Sequence, residues 1–220
     1  LIVFGATLIY PASAVALEPG ETGDAGALTK RIETVREQEE SRWLIAPYKP
    51  NYILPLAYNP SPSRRAVEEL DRALGETEAT ELDKVEIKFQ ISFLLPLAED
   101  LIRGNGDLHL AYTQVSFWQA YNSDESEGLR DTNYEPELFL LFDTDFNVLG
   151  LQNKAIRVGF VHQSNGRAND VLTRSWNRIY AAFMLERGNF VMGIRPWYRI
   201  PEDDEEDENP DIHNFLGYGE

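Results

Sequence analysis

Val85-Glu86-Ile87-Lys88-Phe89-Gln90-Ile91-Ser92-Phe93-Leu94-Leu95 is the stretch on which the fold of this chain turns. Every second residue from Val85 to Leu95 is apolar, and those between are polar until Leu94. Side chains alternate across a strand, so the run predicts a β-strand with one oily and one polar face. Its length is as informative as its period: eleven residues extend about 36 Å at ~3.3 Å each. Strands of soluble domains usually run about 5–6 residues, whereas a tilted transmembrane strand needs about 9–11.

Working outward, comparable runs occupy residues 51–57, 108–119, 133–142, 153–164, 175–185 and 190–200, and Ile212 starts a further candidate. Turn signals separate them: Gly104-Asn105-Gly106, Asp143-Thr144-Asp145, Asn165-Gly166, Arg187-Gly188-Asn189 and Pro201. The connection after Leu185 is short, while those after Gln119, Ser164 and Ile200 are long and polar. Short turns at one end and long loops at the other are the habit of outer-membrane barrels. Trp118, Tyr134, Trp176, Trp197 and Tyr198 fall near run ends, where interfacial aromatic girdles sit. Beyond the first sixteen residues no stretch approaches the length of a transmembrane helix. A chain that spans without helices must close into a barrel. The expectation is an all-β, antiparallel transmembrane β-barrel with a short N-terminal helical segment. A large soluble β-sandwich is the competing architecture, and strand length argues against it.

Composition narrows the function. Of 220 residues, 43% are hydrophobic and 26% charged, which argues against wholesale disorder. Twenty basic against 37 acidic side chains give a net charge of −17, which disfavours nucleic acid as a partner. With no cysteine there is neither a disulfide nor a thiolate metal site. Only His109, His162 and His213 remain for zinc, a thin supply for a structural site.

Residues 1–16 read as part of an export signal that lacks its basic region, with Ala14-Val15-Ala16 at the cleavage position. A buried strand or an N-terminal anchor shares that composition. Residues 17–47 are polar and helical in part, with Leu28, Ile32, Val35 and Trp43 as a sparse stripe before Pro47 and Pro50 end any helix. The barrel is expected over residues 48–220. The acidic run Glu202-Asp203-Asp204-Glu205-Glu206-Asp207-Glu208 reads as a self-repelling, solvated loop.

The chemistry gathers in His162-Gln163-Ser164-Asn165-Gly166-Arg167 and Arg174-Ser175-Trp176-Asn177-Arg178. Parity puts His162 and Ser164 with Ile156, Val158 and Phe160, and Asn177 with Ile179, Ala181, Phe183 and Leu185. In a barrel that face points outward, near the rim. Serine becomes a nucleophile when a base takes its proton, and His162 is its same-face neighbour. A carboxamide can orient the imidazole, as Cys-His-Asn enzymes show. The same residues could form a rim cluster that only satisfies hydrogen bonds. Gln114 shares the face of Leu108, Leu110 and Tyr112, either for an interaction there or as a strand irregularity.

Residues 48–219 resemble the outer membrane phospholipase A family. The match runs in order through Asn51-Tyr52-Ile53-Leu54, Asp83-Lys84-Val85-Glu86-Ile87-Lys88-Phe89-Gln90, Tyr112-Thr113-Gln114, Trp118-Gln119 and Thr132-Asn133-Tyr134-Glu135-Pro136. It continues through both chemical stretches and Pro196-Trp197-Tyr198 to Asn209-Pro210-Asp211. The resemblance implies a calcium-dependent hydrolase of sn-1 and sn-2 acyl esters of glycerophospholipids, active as a homodimer in the outer leaflet of the outer membrane. It makes Ser164 the nucleophile, His162 the base, Asn177 the orienter and Gly166 an oxyanion donor. It implies Ca2+ held by Arg167, Thr173 and Ser126 of the partner subunit, with Glu208 at a second-calcium position and Gln114 at the dimer interface. Thr173 replaces the family's more usual Ser, the 168–173 loop is one residue longer than usual, and Glu208 stands for Asp within an acidic run that suits a solvated loop better. The family barrel has twelve strands and the runs here account for about eight, so the sequence is expected to end before the C-terminal strands. The competing function is a non-catalytic outer-membrane barrel, a channel or lipid-binding protein.

Overall fold

The computed structural model describes residues 26–39, 45–60, 81–123, 129–167, 173–203, 207 and 210–220. Residues 1–16, expected as an export signal, lie outside them, as do Ser126 and Glu208. Helix α1 spans Ala27–Glu39. The strands are β1 (Ala46–Pro47), β2 (Tyr52–Tyr58), β3 (Val85–Ala98), β4 (Asp107–Trp118), β5 (Leu129–Val148), β6 (Leu151–Ser164), β7 (Ser175–Arg187), β8 (Phe190–Ile194) and β9 (Trp197–Ile200). All pair antiparallel in one sheet, in chain order from β3 to β7. β1 and β2 share one side of β3, and β8 and β9 share one side of β7. Each of these pairs is one interrupted strand, so nine segments fill seven places across the curled, half-barrel sheet. Strands of 12 to 20 residues from β3 to β6 match the length argument.

The sheet is polar where it is buried and apolar where it is exposed. Glu86, Ser92, His109, Thr113 and Glu137 are buried on the inner face, while Ile91, Leu110, Leu138, Val158 and Ile179 are exposed on the outer. That inversion of a soluble protein is the pattern of a barrel with lipid outside and polar groups within. The inner face still packs: Ala46, Leu94, Ala111, Phe139, Val161, Tyr180 and Trp197 belong to one cluster. Gly159 is required there, because a Cβ would come 2.6 Å from the Phe139 Cβ and 2.8 Å from the Tyr180 hydroxyl. The strand ends that flank residues 59–84, 119–128 and 165–174 lie at one end of the sheet, and the connections at 99–106, 149–150 and 188–189 lie at the other.

Several expectations are corrected. Asp143-Thr144-Asp145 is no turn: β5 continues to Val148 with a register shift between Asp143 and Phe146, and the hairpin turns at Leu149 and Gly150, both at positive φ. The strand expected from Ile212 is instead a short helix, α2 (Ile212–Leu216), and extended pairing starts at the Pro196–Gly219 bridge. Trp176 and Trp197 do not belong to an outer girdle. They face inward, buried, with rings 5.3 Å apart edge to face, because they alternate with outward Asn177 and Tyr198. The acidic run is not uniformly solvated either: Asp207 pairs with Arg199 and Glu202 bonds to Asn177.

Candidate active site

β6 carries His162 and Ser164 to the loop end, and β7, which starts at Ser175, carries Asn177 at the same end. The register places His162 opposite Asn177 and Ser164 opposite Ser175 on β7, with Tyr134 of β5 on the other side of Ser164. On the same outer face the neighbouring positions are Val158 (48% exposed), Phe160 (41%) and Ile179 (49%). A half-buried polar cluster therefore crowns an oily surface. His162 Nδ1 lies 2.9 Å from Asn177 Oδ1. Ser164 stands one strand repeat beyond His162, about 6.6 Å along the chain. Asn177 Nδ2 donates to Glu202 Oε1 at 2.7 Å.

The residues between these groups face inward and hold the two strands in place. Gln163 Oε1 accepts from Trp176 Nε1 at 3.1 Å and from Arg178 Nη2 at 3.0 Å. The Arg178 guanidinium lies 4.0 Å from the Trp176 ring centroid and 3.5 Å from Glu135 Oε1. A shift of either strand would break these inner contacts, so the outer pair His162–Asn177 inherits a fixed register.

The loop after β6 closes on Asn165. Its backbone N–H donates to the Arg174 carbonyl at 3.0 Å, and its Oδ1 accepts from the backbone of Arg174 at 3.0 Å and of Arg167 at 3.5 Å. Gly166 follows at φ +65°, and a Cβ would meet Tyr134 Cε2 at 2.8 Å, so glycine is needed twice over. The Arg167 side chain bonds the Arg130 carbonyl, and the Arg167 carbonyl accepts from Thr173 Oγ1 at 3.3 Å. Two hard oxygens at that separation suit a shared Ca2+, whose ligand distances are about 2.3–2.6 Å. Among the described residues no cluster of three or more His, Asp or Glu forms a metal site.

Gln114 lies in the same cross-strand row as Tyr134 and Ser164. Its Oε1 accepts from Tyr112 Oη at 3.1 Å, its Nε2 donates to Ser116 Oγ at 3.0 Å, and Ser116 meets Thr132 Oγ1 at 3.1 Å. A polar ladder therefore crosses the outer face from β4 to β5, ending beside β6. Sequence reasoning found Gln114 in it and missed Ser116 and Thr132, although parity puts both on the oily face. It missed Glu202 altogether.

The phospholipase A1 family model matches residues 28–220. A phospholipase A1 from Klebsiella pneumoniae is 38% identical over 187 residues, covering 85% of this chain and 62% of that protein. The chain thus spans less than two thirds of that relative's length. Among solved structures, the Salmonella typhi outer membrane phospholipase dimer with bound calcium aligns at a TM-score of 0.71 and 37% identity, over 83% of this chain and 67% of that one. An active-site asparagine-to-alanine mutant of Escherichia coli outer membrane phospholipase A aligns at 0.71 and 35% identity, over 86% and 69%.

Proposed function

This chain belongs to the phospholipase A1 family, and we propose that its protein is an outer-membrane ester hydrolase that releases fatty acids from the sn-1 and sn-2 positions of glycerophospholipids. Ser164 Oγ attacks the ester carbonyl while His162 Nε2 takes its proton. Asn177 Oδ1 holds the Nδ1–H side of the ring, so the second nitrogen is the free base. The negative oxygen of the tetrahedral intermediate is met by the Gly166 N–H. Collapse expels the lysophospholipid alkoxide, which takes the proton back from His162 and leaves an acyl-serine. Water, deprotonated by the same histidine, attacks the acyl carbonyl, and release of the fatty acid returns the proton to Ser164.

The observation that carries this reading is the 2.9 Å contact between His162 and Asn177 on an apolar outer face, with Ser164 one repeat along. A site facing hydrocarbon meets acyl esters without extracting them from the bilayer. The long-loop end corresponds to the outer leaflet. The oxygens of Arg167 and Thr173, with Ser126 of the partner subunit, would hold Ca2+, which supplies positive charge beside the oxyanion. Dimerisation would bring Gln114 to its counterpart. Its amide retains one donor and one acceptor beyond the bonds to Tyr112 and Ser116. The apolar residues around Ser164 would then line acyl clefts between protomers.

The test is fatty-acid release from phospholipids labelled separately at sn-1 and sn-2, by the intact protein with and without chelator. Both labels should be released, chelator should stop release, and cross-linked dimer should rise with activity. Release at neither position by a folded, heat-modifiable barrel would leave the non-catalytic alternative.

A further inference from the structure

We propose that Glu202 is a positioning residue that sets the proton order of the site through Asn177. The inference rests on the Ser164–His162–Asn177 reading and adds a fourth member to it. β9 pairs with β7 so that Ile200 faces Asn177, and the chain turns through Pro201 to bring Glu202 back over the amide. Glu202 Oε1 accepts from Asn177 Nδ2 at 2.7 Å, while Asn177 Oδ1 lies 2.9 Å from His162 Nδ1. Glu202 is half-buried; nearby, Asp207 pairs with Arg199 and its backbone N–H donates to the Asp203 carbonyl at 2.9 Å.

An amide facing an imidazole has no intrinsic direction. Either end can serve, because a neutral imidazole offers a donor on one nitrogen and an acceptor on the other. If Nδ2 faced His162, it would favour the tautomer with Nδ1 as acceptor and the proton on Nε2, and the base for Ser164 would be lost. An ionised carboxylate only accepts. With Glu202 at its far end, Asn177 must turn Nδ2 outward and Oδ1 toward the ring. Nδ1 then carries the proton and Nε2 is left free. The charge-assisted bond also polarises the amide, making Oδ1 a better partner for the imidazolium that forms when Ser164 is deprotonated. A neutral asparagine backed by a carboxylate thereby recovers part of what an aspartate would supply.

The experiment uses the full-length protein in mixed micelles with a diacyl phosphatidylcholine. Glu202→Ala should lower kcat by about 10–100-fold with KM within about twofold, the scale of a lost hydrogen bond to a charged group. Glu202→Gln keeps an acceptor without the charge, and should recover part of the loss. In an Asn177→Ala background, Glu202→Ala should have no further effect, since the amide it acts through is gone. Nitrogen NMR of labelled histidine should show His162 as the Nδ1–H tautomer in the wild type and as a mixture in Glu202→Ala; a merely structural role would leave the tautomer alone. Wild-type kcat in both Glu202 variants, or a loss that persists in the Asn177→Ala background, overturns the proposal. If Glu202→Ala does not fold, Glu202→Gln decides by its kcat and tautomer. Ser164→Ala separates the layers. If it still releases fatty acid, the triad reading falls. If it is inactive while the Glu202 variants match wild type, only Glu202's role falls.

Discussion

On the inner face, Glu137 is 2% exposed and accepts hydrogen bonds from Tyr48 at 2.7 Å and from Tyr180, with Arg195 3.8 Å away. Arg157 donates to the same Tyr48 hydroxyl at 2.6 Å, and Glu135 is bridged by Lys49 at 2.6 Å and Arg178 at 3.5 Å. On the outer face, a short chain of polar groups from Glu202 to Ser164 sits among Val158, Phe160 and Ile179. The inner groups are many, of both signs, and cross-linked over several strands. The outer ones are few and gathered at one rim. The difference shows what surroundings do to the same chemistry. Among other polar groups, charges neutralise one another and fasten strands together. Isolated on an apolar surface, they are costly to keep, and here they find partners in one another: His162 with Asn177, and Asn177 with Glu202.

The sharpest way to break this contrast is to exchange consequence between faces. Ser164→Ala should lower fatty-acid release by about 10⁴-fold or more while leaving the urea unfolding midpoint unmoved. Glu137→Ala should do the reverse. Removing one member of a buried charged network typically costs about 3–5 kcal/mol, because the remaining groups lose their partner. Urea unfolding in lipid vesicles should register that loss, with specific activity per folded molecule retained. Inactivation by Glu137→Ala at unchanged stability would show that the inner network also serves the reaction.

The outer face itself can be tested away from the site. Val158, 48% exposed, lies in mid-strand on β6. Val158→Arg should destabilise the protein in bilayers by about 2–4 kcal/mol if that face meets the hydrocarbon midplane. The same variant in a face that meets water would be close to neutral, so the measurement sharpens which side is solvated by lipid.

Much of this was legible because alternation is a local signal. β3 and β6 declare both faces in eleven or more consecutive residues, and a parity count alone puts His162, Ser164 and Asn177 together on the oily one. The antiparallel register then pairs His162 with Asn177. What escaped was of two kinds. Asp143-Thr144-Asp145 imitates a turn because polar residues both bend a chain and populate the ends of strands; a register shift settles it, and such irregularities carry no compositional mark. Ile212-His213-Asn214 alternates like a strand, but Asp211 receives the Asn214 N–H at 2.9 Å and winds a helical turn instead. Glu202 was hidden differently: it is one of seven consecutive acids, and the bond that singles it out joins residues 25 apart, with β8 and β9 between them.

The smallest expected effect lies at the opposite end of the sheet from the site. Glu186 is buried on the inner face near the C-terminal end of strand β7, and its carboxylate caps α1 from 157 residues away in sequence. Oε2 accepts from the backbone of Leu28 at 3.0 Å and of Thr29 at 3.3 Å, while Oε1 accepts from the Thr29 hydroxyl. The first amides of a helix lack partners within it and carry its positive end, so a carboxylate there both satisfies and attracts them. Glu186 stands at the opposite end of β7 from Asn177, and α1 touches the sheet at β1, β7 and β8. Glu186→Ala should therefore cost about 0.5–2 kcal/mol, the usual range for a lost cap, and fall on α1 alone. Hydrogen exchange should speed up in residues 27–39 and stay unchanged at β6, with lipid hydrolysis at the wild-type rate. Glu186→Gln, which keeps an acceptor but not the charge, should fall between the two. Faster exchange in β6 or slower hydrolysis would mean that the two ends of the sheet are coupled, and the division between a fastening inner face and the outer rim proposed to react would have to be redrawn.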